Sequence, residues 1–248
     1  MPDGLGLALL LHGFSHTGAS WEPVIDALGG AWRVLAPDIR GHGSASEIEP
    51  VDLAGVLADL VGLMPERCVL AGYSMGGRLA LHLALAEPAR VQRLVLIGAS
   101  PGLADRAERQ VRSHSDEDLA AWLESSTSEA FAIRWAQTPV LAGLPPAVAE
   151  RVYADRLRST PAGLARALRG LGTGALPSLW KRLGELTMPV SLVVGERDEK
   201  FQGIAREMAQ ALPRVQVVVV RGAGHAVHLE APERVAEVIT AARGGDPR

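Results

Sequence analysis

The chain has 248 residues, 48% of them hydrophobic, with 28 acids against 25 lysines and arginines for a formal net charge of −3. That length suffices for one α/β domain with an insertion and a sizeable core, and the near-neutral balance leaves no electrostatic footprint for nucleic acid or an anionic membrane. The single cysteine, Cys68, excludes an internal disulfide and a cysteine-based metal cluster.

Residues 1–11 lack the basic segment of a secretory signal, and no apolar run reaches the length of a membrane span. A soluble cytoplasmic protein is the expectation. Residues 7–11 are an aliphatic run that predicts a fully buried strand, ending in His12-Gly13-Phe14-Ser15. A glycine turn after a central strand exposes backbone N–H groups, so the Phe14 N–H is a candidate oxyanion donor. His12 reads as a structural residue bonding loop backbone. A helix is expected over 21–28, closed by Gly29-Gly30, and a strand over 32–36. Asp38 and His42 follow on a glycine-rich loop, where an aspartate commonly organises its own turn. Leu53, Val56, Leu57, Leu60 and Val61 give 52–63 a helical period.

The stretch Val69-Leu70-Ala71-Gly72-Tyr73-Ser74-Met75-Gly76-Gly77-Arg78 reads as a buried strand, a sharp turn and a helix start. Gly72-x-Ser74-x-Gly76 is the nucleophile-elbow pattern, in which small residues on each side let strand and helix approach closely. Such a turn lifts the Ser74 hydroxyl clear of the sheet and aims the Met75 N–H at whatever reacts there. Cys68, at the start of this strand, reads as a small buried hydrophobe. Another strand is expected over 94–97. From about 104 to 171 no strand-like run occurs, and helical segments alternate with Thr138-Pro139, Leu144-Pro145-Pro146 and Thr160-Pro161. This predicts an all-helical lid over 104–178, with the core formed by 1–103 and 179–248. Residues 104–171 hold nine arginines, nine acids and no lysine. Guanidinium forks suit bidentate carboxylate binding, although each arginine can equally belong to a solvated helix face. Beyond the lid, strands are expected over 190–194 and 215–220, and helices over 203–212 and 232–242.

Ligands of open parallel sheets bind outside the carboxyl ends of the strands. Phe14, Ser74, Asp198 and His225 each lie just past a predicted strand, which places them on one rim. The order Ser, Asp, His is that of α/β-hydrolases. His225 would take the Ser74 proton and Asp198 would fix the imidazole tautomer. Glu196 competes for the acid's place and His228 for the base's. The expected fold class is therefore α/β, an α/β-hydrolase fold with a mostly parallel, doubly wound sheet and a helical lid.

More specific stretches narrow this further. Ala99-Ser100-Pro101-Gly102-Leu103, Gly172-Thr173-Gly174, Pro177-Ser178-Leu179-Trp180, Gly195-Glu196-Arg197-Asp198-Glu199-Lys200-Phe201 and Gly224-His225-Ala226-Val227-His228-Leu229-Glu230 occur with Leu11-His12-Gly13-Phe14-Ser15 and the elbow. Together they resemble the 2-succinyl-6-hydroxy-2,4-cyclohexadiene-1-carboxylate synthases of menaquinone biosynthesis. The resemblance implies a lyase that removes pyruvate from 2-succinyl-5-enolpyruvyl-6-hydroxy-3-cyclohexene-1-carboxylate, a tricarboxylate, without a cofactor. Carried over residue by residue, it implies Ser74, Asp198 and His225 as the triad and Phe14 and Met75 as oxyanion donors. Tyr73, Arg78, Arg109, Trp135 and Arg156 would contact substrate. Arg106 and Arg112 compete with Arg109, and Arg158 with Arg156. Leu176 departs from the family, where a polar residue often precedes the proline. A small-molecule partner is implied, with no nucleic acid, and as either a monomer or a homodimer. Two alternatives stand beside the lyase: a serine esterase or carbon–carbon-bond hydrolase using the same triad, and a non-catalytic small-molecule receptor on the same fold.

Overall fold

The computed structural model describes residues 5–138, 141 and 143–241. Pro139, expected at a lid turn, and Ala242, expected to end the last helix, lie outside the described residues. Six strands form one sheet: β1 (Gly6–Leu11), β2 (Trp32–Leu35), β3 (Cys68–Tyr73), β4 (Val91–Ile97), β5 (Val190–Gly195) and β6 (Val215–Val220). Their order is β2-β1-β3-β4-β5-β6, and every pairing is parallel. β1 has β2 on one side and β3 on the other, so the strand order reverses there and opens a crevice at the carboxyl ends of β1 and β3.

The aliphatic runs of β1, β3, β4 and β5 form strands because both of their faces are largely covered, whereas the edge strands β2 and β6 are only partly covered, with Val217 and Val219 of β6 exposed. Side chains alternate between faces with a period of two. Leu9, Leu11, Leu70, Leu94 and Leu192 pack on one side with α2 (Leu53–Leu63), α3 (Met75–Ala86) and α8 (Glu199–Ala211). Ala8, Leu10, Val69, Val95 and Val193 pack on the other with α1 (Glu22–Leu28) and α10 (Pro232–Thr240). Cys68 is fully buried in the first of these layers.

Between β4 and β5 lie α4 (Arg106–Glu124), α5 (Ser128–Ala136), α6 (Pro146–Arg156) and α7 (Pro161–Leu171), all within the span 104–178. Three of the four start at a side-chain cap: Asp105, Thr127 and Thr160 accept the N–H of Glu108, Ala130 and Gly163. The insertion has its own small core of Ala120, Leu123, Phe131, Leu164, Ala165 and Leu168. Arg169 of α7 pairs with Glu117 and Glu124 of α4, so this arginine serves to join two helices. A short helix, α9 (Val227–Glu230), precedes α10.

Element boundaries differ from expectation in places with a local cause. The helix expected from 203 begins at Glu199, because the Asp198 carboxylate caps it by accepting the Phe201 N–H at 3.4 Å. Trp21 falls in a 3-10 turn, Gly18–Trp21, ahead of α1. Strands β3 and β4 run longer than their purely aliphatic cores. Among the described residues no helix is long and apolar enough to cross a membrane.

The loops at the carboxyl ends are pinned by buried polar side chains. His12 Nε2 accepts the Ile39 N–H at 2.9 Å, joining the loop after β1 to that after β2. Asp38 accepts the N–H groups of Gly18 and Ser44, each at 2.8 Å. The expected structural roles of His12 and Asp38 agree with these contacts. Burial pushes the His12 pKa down to about 4 and that of His42 to about 3.

Two outcomes follow from these contacts. In Gly76→Ala the added methyl would stand 2.2 Å from the Leu11 carbonyl oxygen and 2.5 Å from that of His12. Both are backbone atoms that cannot rotate away, so urea unfolding should show a loss of about 1–3 kcal/mol. The buried histidines set the acid limit. An unfolded histidine binds a proton near pH 6.5, whereas folded His12 and His42 stay neutral to about 4 and 3. Below pH 6.5 the unfolded chain holds more protons, so stability falls with pH by up to about 1.4 kcal/mol per unit for each histidine. Urea midpoints should hold nearly level from pH 7.5 to about 6.5 and fall from there to pH 4.5; a flat profile across the whole range would contradict this.

Candidate active site

Ser74 sits between β3 and α3 at φ 50° and ψ −110°, a conformation uncommon for a residue with a side chain. Its N–H donates to the Ile97 carbonyl at 2.9 Å, which ties the tip to the end of β4. The hydroxyl reaches His225 Nε2 at 3.3 Å, and His225 Nδ1 lies 2.6 Å from Asp198 Oδ2. A carboxylate at Nδ1 places the proton there and leaves Nε2 as the acceptor for Ser74. Three loops build this line: the tip after β3, the loop after β5 and the loop after β6. His225 is buried, with its ring centre 4.5 Å from that of Phe201 and 5.2 Å from that of Tyr73. Gly98, at φ 51°, makes room for it, since a Cβ there would meet the imidazole at 2.8 Å.

The two competitors lie elsewhere. Glu196 is exposed and accepts the Gly222 N–H at 2.9 Å. His228 belongs to α9, is fully buried with neither ring nitrogen partnered, and is held neutral by desolvation. Its ring packs 4.2 Å from that of Tyr73.

A cavity of about 200 Å³ opens over Ser74 and His225. Phe14, Tyr73, Met75, Arg78 and Trp135 line it. Phe14 follows β1 and Met75 is the first residue of α3; both line the cavity over Ser74, and each carries a backbone N–H donor. Among the described residues no loop or capping bond uses either donor. The Phe14 ring packs edge-on against Trp135 and Phe131 of α5, with centres 5.3 and 6.1 Å away.

Arg78 is one helical turn beyond Ser74 and lies deep in the wall. Desolvation lowers its pKa to about 10, and its Nε has no partner. Its Nη1 donates to the Thr173 hydroxyl. Among the described residues no acid forms an ion pair with it; Asp116 is the acid that feels its charge, and Arg112 opposes it. Two further cations line the cavity, Arg112 and Lys200. Arg112 is steadied through Nε by Asp116 at 2.8 Å.

Arg109 and Arg156 are not among the lining residues. Arg109 is half-buried on α4, one turn before Arg112, and its carbonyl faces Gly174. Arg156 is 1% exposed at the end of α6; its Nη1 donates to the Ala132 carbonyl at 3.4 Å while Nε and Nη2 lack partners. Leu176 packs into the main core, as a leucine in place of a polar residue would. Lys200 carries a signal that the spacing offered: it follows Asp198 by two residues in the first turn of α8, at the same strand end. His16, which also lines the cavity, has no such signal. Among the described residues no group of three or more His, Cys, Asp or Glu could hold a metal ion.

The alpha/beta hydrolase family profile matches residues 8–238. A Bacillus subtilis protein provisionally named 2-succinyl-6-hydroxy-2,4-cyclohexadiene-1-carboxylate synthase is 35% identical, over 96% of this chain and 90% of its own. A Klebsiella pneumoniae protein bearing that enzyme's name is 34% identical, over 92% of this chain and 89% of its own. Among solved structures, MenH from S. aureus superposes with a TM-score of 0.90 at 29% identity, covering 97% of this chain and 94% of that one. A thermophilic esterase from Thermogutta terrifontis, solved with malate bound, gives 0.79 at 27% identity, covering 96% and 90%. With its six parallel strands, its serine at the turn after β3 and full-length relatives of one name, the chain belongs to the alpha/beta hydrolase family and, within it, to the 2-succinyl-6-hydroxy-2,4-cyclohexadiene-1-carboxylate synthases.

Proposed function

We propose that the protein eliminates pyruvate from 2-succinyl-5-enolpyruvyl-6-hydroxy-3-cyclohexene-1-carboxylate to give 2-succinyl-6-hydroxy-2,4-cyclohexadiene-1-carboxylate, a step of menaquinone biosynthesis, with Ser74 as the base. The near full-length relatives support the reaction class. The observation that carries it to this site is the half-buried Arg78 on the wall beside Ser74, its Nε enclosed and without a partner and its charge unpaired by any acid among the described residues. A buried charge without a counter-ion is costly, so the site is built for an anion that arrives with the substrate. Arg78 and Lys200, with Arg112 held by its ion pair to Asp116, line one cavity, and this substrate carries three carboxylates.

The chemistry needs one acidic proton and one leaving group. Ring carbon 2 bears the succinyl ketone, which makes its proton removable. His225 accepts the Ser74 proton through the 3.3 Å contact as the serine oxygen takes the ring proton. Asp198 stabilises the resulting imidazolium. Negative charge grows on the ketone oxygen, where the N–H groups of Phe14 and Met75 meet it. As the enolate collapses back to a ketone, the ring double bond shifts and the carbon–oxygen bond to the enolpyruvyl group breaks. The departing enolate takes up a proton on carbon and becomes pyruvate. No water is consumed and no acyl-enzyme forms. Tyr73, Trp135, Arg109 and Arg156 remain proposed substrate contacts, the first two from the cavity wall.

A hydrolase would use the same serine and histidine on an ester carbonyl, and the superposition with the thermophilic esterase favours keeping that reading as the alternative. Pyruvate release, coupled to lactate dehydrogenase, separates the two. The lyase produces pyruvate from the enolpyruvyl substrate and turns over p-nitrophenyl acetate slowly; fast ester turnover without pyruvate reverses the assignment. Ser74→Ala, Asp198→Ala and His225→Ala should each lower kcat by on the order of 10²–10⁴. Arg78→Ala should raise KM more than tenfold with little loss of thermal stability; unchanged kcat and KM would make Arg78 a structural cation.

A further inference from the structure

The turn that carries the Phe14 N–H is strained. Ser15 holds φ 67°, a value that costs a residue with a Cβ about 1–3 kcal/mol and persists only where the surroundings impose it. The Ser15 hydroxyl is buried and finds no partner, so its own side chain does not hold the turn. Two grips do. On one side the Phe14 ring is wedged against Phe131 and Trp135 of α5. On the other, Asp155 of α6 takes three contacts from consecutive residues: His16 Nδ1 at 3.2 Å, the Thr17 N–H at 3.0 Å and the Thr17 hydroxyl. Asp155 and its partners are almost fully buried. Burial alone would raise the Asp155 pKa, yet the bonds from His16 and Thr17 hold it down at about 2. The core also touches the turn: the His16 N–H donates to the Gly13 carbonyl at 3.2 Å, the Phe14 ring lies 5.7 Å from that of His42, the His16 ring lies 5.8 Å from that of Tyr73 and 6.0 Å from that of His228, and Asp38 accepts the Gly18 N–H. Among the described residues, however, the side-chain hydrogen bonds to the His16 ring and the Thr17 N–H come from the helical insertion, from a residue 138 positions beyond Thr17.

We propose that Asp155 is a positioning residue for the elimination: by holding His16 and Thr17 it keeps the Ser15 turn in the conformation that presents the Phe14 N–H to the developing enolate oxygen. This rests on the reading of that N–H as an oxyanion donor given above. The insertion thereby completes the oxyanion hole as well as walling the cavity. Among the described residues the Asp155 side chain bonds to the turn and pairs with its own neighbour Arg158, 3.9 Å away, so its loss should act on the transition state more than on substrate binding.

The test is Asp155→Asn in the full chain, which keeps the shape and removes the charge. The expected result is a fall in kcat for pyruvate release of tenfold or more, with KM within twofold of wild type. Affinity for phenylboronic acid, whose adduct on Ser74 places an oxygen in the hole, should fall by a similar factor. A folded variant whose kcat stays within twofold of wild type, or whose whole loss is a KM increase, overturns the proposal. If circular dichroism shows that Asp155→Asn does not fold, Thr17→Val decides: a threefold or larger fall in kcat at unchanged KM supports the role, and an unchanged kcat overturns it. A wild-type protein that binds phenylboronic acid but releases no pyruvate sinks the lyase reading, and the boronate affinities alone then decide the role of Asp155.

Discussion

Everything in this site depends on how closely a backbone can approach another backbone at the end of β3. The start of α3 comes so near the carbonyls of Leu11 and His12 that a methyl on Gly76 has no space. That approach forces Ser74 into a positive φ and drives its side chain out of the sheet. It also brings the N-terminus of α3 beside the loop after β1, so Phe14 and Met75, from different parts of the chain, line one cavity with Ser74. The sheet stores the strain because its central strands are buried on both faces and hydrogen-bonded to neighbours on both edges.

Charge is distributed around this point with economy. The hydroxyl, imidazole and carboxylate form one connected line, each member steadied by groups from another loop. Asp198 serves twice, its Oδ2 as partner of His225 and its Oδ1 as cap of α8, so the helix that follows β5 is fixed by the same carboxylate that orients the imidazole. Arg78 is left in the opposite condition, deep in the wall and without an acid of its own. A protein tolerates such a group where a ligand supplies the missing charge, which is the place proposed above for a substrate carboxylate. The same arrangement suits poorly the apolar acyl chains for which many esterases are shaped.

The helical insertion contributes more than a wall. Its α5 and α6 hold the Phe14–Thr17 turn from two sides, through aromatic edges and through a buried carboxylate. The turn that carries the Phe14 N–H is thus held in part by a segment that enters the chain after β4. Four buried histidines, His12, His16, His42 and His228, crowd around this junction, and burial keeps three of them neutral near physiological pH.

Much of this is legible in the amino-acid order. Aliphatic runs of five or six residues declare the strands, because only a doubly covered parallel strand repays so much uninterrupted hydrophobicity. Glycines around Ser74 declare the turn, and residues just beyond each strand must share one rim whatever the sequence distance. The choice of Asp198 over Glu196, and of His225 over His228, is different. It depends on side-chain direction at single positions in loops, which the pattern of neighbours leaves open and the packing of β5 against the β6 loop decides. The insertion hides most, since on amphipathic helices a shift of three residues exchanges the cavity face for another. Arg112 rather than Arg109 lines the cavity for that reason, and Arg156 turns inward beneath α5. The bond between Asp155 and Thr17 has no local signature at all, because two short side chains far apart in the chain meet only after helix and sheet have packed.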